Sequence, residues 1–188
     1  SAWRRLRRFC SQVGRPDSAF YGQVGGLWCE FDVDEYQTLL PDIFVDFQEA
    51  PLHGDRGLAA VEQAAAILQA ASVSETAPAL GRCLRDSSDG GVYDLGFMLS
   101  RPLPGVRLVG FGSHSLDNIY RYLQKIEWPG SVADLRSAVG WLDGIVDRFV
   151  LQVDVAAEIR PLISIELFLD THGRDRTRWT LFLQNLVD

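Results

Sequence analysis

Leu27-Trp28-Cys29-Glu30-Phe31-Asp32-Val33-Asp34 alternates strictly: Leu27, Cys29, Phe31 and Val33 fall on one side, and Trp28, Glu30, Asp32 and Asp34 on the other. A period of two with aromatic and β-branched residues is the pattern of a half-buried strand. Pro41-Asp42-Ile43-Phe44-Val45-Asp46-Phe47 alternates in the same way. Its proline stands at the first position, where a strand loses least from a missing N–H. The two runs read as a hairpin. An Ala-rich stretch follows over residues 57–71, with Leu58, Val61, Ala65 and Leu68 in helical register.

Working outward, the same order recurs twice. Strands are expected over 92–100 and 106–113, around the turn Arg101-Pro102-Leu103-Pro104-Gly105. Ser115 is placed to cap a helix over 116–126, and Ser131 to cap another over 132–147 after the break at Pro129-Gly130. A third hairpin is expected over 149–155 and 162–170, and a last helix from about 175 to 187. A helix over 2–13 opens the chain, stopped by Gly14, Pro16 and Asp17. Residues 72–91 read as a flexible loop with a short helical turn around 79–84. Between the first and third hairpins, Phe31-Asp32-Val33 matches Val153-Asp154-Val155, and the run from Pro41 matches Pro161-Leu162-Ile163-Ser164-Ile165-Glu166-Leu167. That alignment makes Asp32 equivalent to Asp154 and Asp46 to Glu166. In the middle hairpin Gly110 stands where the pattern expects an apolar residue, and Val109 replaces the acid. The expected fold is therefore a single α+β domain over 1–188. Three strand–strand–helix repeats form a largely antiparallel six-stranded sheet with helices on one face. A sheet that curls into a partial or closed αββα barrel is the variant left open.

The chain has 188 residues and a net charge of -7. A chain of that length hides roughly 70% of its unfolded surface, so it folds without a metal or disulfide. The acidic balance excludes wrapping nucleic acid, which takes a large positive footprint. Seventeen of its eighteen basic residues are arginine, Lys125 being the exception. The run Trp3-Arg4-Arg5-Leu6-Arg7-Arg8 reads as the polar face of a short helix rather than a binding arm. Cys10, Cys29 and Cys83 are odd in number and far apart, which gives no zinc spacing and no disulfide framework. The expectation is a reduced, cytoplasmic protein. No apolar run approaches 18 residues, so no membrane partner is expected.

Function is sought on the sheet face that the helices leave bare. Its expected residues are Trp28, Glu30, Asp32, Asp34, Phe44 and Asp46, then Arg107 and Phe111 from the middle hairpin. Gln152, Asp154, Ser164, Glu166 and Phe168 complete it. One reading is a solvated outer face, common in antiparallel sheets. The other is a polar cavity, whose aromatics and carboxylates suit a ligand with apolar and polar parts. Carboxylates held together raise one another's pKa, which prepares one as a general acid or base. They can equally hold Mg²⁺ through oxygen ligands. Asp154 and Glu166 are the candidate catalytic pair. Trp28, Glu30, Asp32, Phe44, Asp46, Arg107 and Phe168 are the candidate substrate contacts.

Other motifs carry less. His53, His114 and His172 follow expected strand ends among polar neighbours, where histidines are usually solvated or capping. Gly110-Phe111-Gly112-Ser113-His114-Ser115 opens a helix but lacks the phosphate-loop frame, and Ser113 beside His114 forms no triad. Trp128-Pro129-Gly130 reads as a packed turn between helices.

Trp28-Cys29-Glu30-Phe31-Asp32, Asp42-Ile43-Phe44, Trp128-Pro129-Gly130 and Asp154 with Ile165-Glu166 resemble a set of uncharacterised bacterial proteins. That resemblance implies no activity. Asp154-Val155 followed by Ile163-Ser164-Ile165 resembles a repeat hairpin of the αββα-barrel aromatic prenyltransferases. This implies a barrel with a polar interior. Such barrels use ten strands where this chain supplies about six. Two functions are then expected: a small-molecule or peptide tailoring enzyme on the carboxylate-lined face, or a non-catalytic peptide- or protein-binding module using Trp28, Phe44 and Phe168.

Overall fold

A computed structural model describes residues 2–18, 20–31, 41–47, 51–68, 74–85, 87, 91–99, 105–169 and 176–187. Within them the chain runs α1 (Ala2–Val13), β1 (Gly26–Phe31), β2 (Pro41–Asp46), α2 (Gly54–Leu68), α3 (Ala77–Arg85), β3 (Val92–Phe97) and β4 (Val106–Ser113). Then follow α4 (Leu116–Lys125), α5 (Val132–Val139), β5 (Arg148–Val155), β6 (Ile159–Phe168) and α6 (Arg176–Val187). The strands pair in chain order, every pair antiparallel, in one six-stranded sheet. The sheet is open, with β1 and β6 as its edges. The closed-barrel variant is thereby corrected: closure needs β1 to pair with β6.

The alternation in the strands builds the core. Ile43, Val45 and Phe47, then Leu95 and Phe97, Val106 and Leu108, and Phe149, Leu151 and Val153 all turn to one face and are fully or almost fully buried. Helices cover them with residues three and four apart. Val61, Ala64, Ala65 and Leu68 of α2, Leu80, Cys83 and Leu84 of α3, Leu116, Ile119 and Leu123 of α4, and Leu6 and Phe9 of α1 join one cluster. Removing these side chains from water is the main force holding helices to sheet. Both expected serine caps are present. Ser115 Oγ accepts from the Asp117 N–H (3.2 Å) and Ser131 Oγ from the Asp134 N–H (3.1 Å).

Some expectations are corrected. The short helical turn expected around 79–84 is a nine-residue helix, α3, whose Ala79, Leu80, Cys83 and Leu84 are buried. The α5 helix ends at Val139 and passes into a single 3-10 turn over Gly140–Leu142, rather than running on to 147. Phe111 does not join the bare face. A register shift between Gly110 and Ser113, with Phe111 at φ 53°, turns its ring to the helical side, where it stacks on Tyr122 at 4.0 Å. Gly110 is required there. A Cβ on it would meet the Gly91 carbonyl oxygen at 2.4 Å and the Val92 Cα at 2.8 Å. The break in the middle hairpin's apolar pattern is thus the place where two backbones touch.

A groove on the bare face of the sheet

Strand pairing sets the bare face out in rows. One row runs Trp28, Phe44, Gly96, Arg107, Asp154 across β1 to β5. The next runs Gly26, Asp46, Asp94, Val109, Gln152, Ser164 across all six strands. Glu30 lies opposite Asp42 on one side of these rows, and Val150 opposite Glu166 on the other. Neighbouring strands lie about 4.8 Å apart, so a flat sheet would hold β1 and β6 roughly 24 Å from each other. Yet Trp28 of β1 and Glu166 of β6 line one cavity of about 360 Å³, along with Phe44, Asp94 and Arg107. The sheet therefore curls, with its bare face inward. A second cavity of about 460 Å³ adjoins it, sharing Asp94, Val109 and Glu166 and reaching Arg148 and Phe168.

Each side chain of the groove has a local reason for its position. The Phe44 ring can lie over its β3 neighbour because that neighbour is glycine: a Cβ on Gly96 would stand 2.8 Å from the Phe44 ring, 2.7 Å from Met98 and 3.0 Å from Arg107. Trp28 stands beside it, 63% exposed on the edge strand. Arg107 reaches across to β5 and forms a bidentate pair with Asp154, Nε to Oδ1 at 2.7 Å and Nη2 to Oδ2 at 2.9 Å. That hydrogen-bonded carboxylate raises the guanidinium pKa further, with Glu30 and Asp42 adding to it. Glu166 accepts a hydrogen bond from Gln152, its diagonal neighbour on β5. Arg148 sits over the Phe168 ring at 4.0 Å. Asp46 is buried against Gly26.

Asp94 differs from the rest. Its Oδ1 is buried with no hydrogen-bond partner. Burial pushes its carboxyl up to about 6, and the negative charges of Asp46 and Glu166 add to the effect. Asp46 is directly opposite it on β2.

Of the candidates read from the sequence, Trp28, Glu30, Phe44, Arg107 and Glu166 share the first cavity, and Phe168 lines the second. Asp154 borders the groove through Arg107, and Asp46 through Asp94. Asp32 lies outside the described residues, as does His172. His53 and His114 line neither cavity. His53 Nδ1 meets Ser87 Oγ at 3.1 Å, and His114 Nδ1 donates to the Asp147 carbonyl at 2.7 Å. Among the described residues, no group of three His, Cys, Asp or Glu is placed to hold a metal ion, and no helix is long and apolar enough to cross a membrane.

The sequence reading missed Asp94 and Asp42. Leu95 and Phe97 face the core, so parity alone puts Asp94 on the bare face. The signal was masked by Val92, which shares the parity of Asp94 yet is buried in the core, because the register shifts between the two. No family model, no curated protein and no solved structure matches the chain.

Proposed function

We propose that the protein captures a small molecule or a short peptide side chain in the groove on its bare sheet face. The observation that carries this reading is the meeting of Trp28, Phe44, Asp94, Arg107 and Glu166, from five strands, around one cavity of about 360 Å³. That size lies at the small end of ligand pockets. The wall pairs aromatic surface with a few oriented polar groups, the usual composition of such a site. Phe44 packed over Gly96 and Arg107 locked to Asp154 are pre-arranged, so little order is lost on binding. A library of amines, acids and short peptides, screened by NMR chemical shifts, tests the reading. Hits are expected to shift resonances of Trp28, Phe44 and Arg107, and Trp28→Ala is expected to weaken them at least tenfold. Hits that map elsewhere, or that bind the variant unchanged, overturn it.

One observation favours a tailoring reaction on the captured ligand: Asp94 titrates at about 6, where a carboxyl can both give and take a proton near neutral pH. In that reading Asp94 is the proton-transfer group and Glu166 its partner across the groove. Asp154, with both oxygens on Arg107, positions that arginine. A turnover rate that falls below about pH 6 in the wild type, and loses that limb in Asp94→Asn, is the expected signature.

A further inference from the structure

Resting on that reading of the groove, we propose that its ligand carries an organic cation, an ammonium or guanidinium on an apolar stem, and that the charge seats against Asp94. Three independent features point to it. Two carboxylates, Asp46 and Asp94, stand directly opposite each other on β2 and β3. Like charges in direct cross-strand register oppose each other. A cation seated against Asp94 offsets the effect of that neighbour on it.

Among the described residues, the two arginines that line the cavities with Asp94 are engaged elsewhere. Arg107 of β4 spends Nε and Nη2 on Asp154. Arg148 of β5 lies over Phe168. What faces Asp94 from the packed elements is Asp46 of β2 and Glu166 of β6, with Val109 of β4 between and Tyr93 beside it. Its Oδ1 is buried without a donor, and a buried acceptor without a partner is costly until one arrives. An anionic ligand would meet Glu30, Asp94 and Glu166 in the first cavity, where the charge of Arg107 is already matched by Asp154.

The wall beside Asp94 also suits a cation on an apolar stem. Trp28 and Phe44 line the same cavity, and aromatic faces attract ammonium and guanidinium groups. A bare divalent ion fits less well, because the described residues provide no cluster of three ligating side chains.

The test is an NMR titration of the full chain at pH 7.5 with four probes: phenethylammonium, neutral phenethyl alcohol, 3-phenylpropionate and magnesium chloride. Phenethylammonium is expected to bind at least tenfold more tightly than the alcohol, to shift Asp94 and Trp28 resonances, and to lose that advantage in Asp94→Asn. The same loss is expected on lowering the wild type to pH 4.5, where Asp94 is protonated. Equal or tighter binding of the alcohol or of phenylpropionate in the groove overturns the cation while leaving the groove reading in place. Binding of magnesium at Asp94 in preference to phenethylammonium overturns the organic class. If none of the four shifts a groove residue, the inference and the groove reading fall together. Asp94→Asn removes a like-charge contact, so it is expected to fold at least as well as the wild type.

Discussion

The two faces of β3 are made from the same six residues and obey opposite rules. Toward the helices, Leu95 and Phe97 are fully buried among apolar neighbours. Toward the groove, Asp94 and Gly96 meet a carboxylate, an aromatic ring and an arginine stem. On the first face each group lowers the free energy of the fold. On the second, Asp94 raises it, since a carboxyl held near pKa 6 is harder to ionise folded than unfolded. On the proposal above, a cation bound against Asp94 offsets that cost.

The contrast can be broken by mutation. Leu95→Ala is expected to cost about 3 kcal/mol in chemical denaturation, through lost burial and the cavity left behind. A cost under about 1 kcal/mol would mean that the helical face is not the packed one. Arg107→Met comes next. It leaves Asp154, whose side chain is 30% exposed, without its bidentate partner, and is expected to cost about 1–2 kcal/mol. Adding Asp154→Leu should recover part of that loss, because the second change removes the stranded charge.

Asp94→Asn is expected to act in the opposite direction. The folded-state pKa of Asp94 is raised, so its contribution to stability is full below about pH 4 and is lost as pH rises through 6. The variant should therefore be more stable than the wild type at pH 7.5 by about 1–2 kcal/mol, after allowing for solvent screening. It should also remove a decline in wild-type stability between pH 4 and 6. A variant less stable at pH 7.5 would show that Asp94 is a structural group. Smallest is Trp28→Ala, expected to change stability by no more than about 0.5 kcal/mol, because most of that side chain faces solvent. A larger loss would make it part of the fold rather than of the groove.

Much of this was legible in the residues. Strict alternation in 27–34 and 41–47 correctly places Trp28, Glu30, Phe44 and Asp46 on one face and Ile43, Val45 and Phe47 on the other. Ser115 and Ser131 were readable as caps for the same reason, since a cap acts within a few residues of itself. What failed did so where a distant backbone intervenes. Gly110 pressed on Gly91, the inverted Phe111 and the shift beside Val92 all break parity at one crossing of β3 and β4. The alignment of Asp46 with Glu166 puts both on the bare face, yet their surroundings differ: Asp46 is buried opposite Asp94, while Glu166 is exposed on an edge strand beside Gln152.

The order of strands and helices, the face that the regularly alternating strand residues take and the two serine caps are properties of short stretches. A period of two, a period of 3.6 and a capping hydroxyl act over a few residues, so the amino-acid order determined them. Which residues share the groove depends on how far the sheet curls, and curvature is summed over six paired strands and the helices packed behind them. Only the tertiary structure brought Trp28 and Glu166 to one cavity, left Arg107 bound to Asp154, and set Asp94 against Asp46 with an unpartnered oxygen.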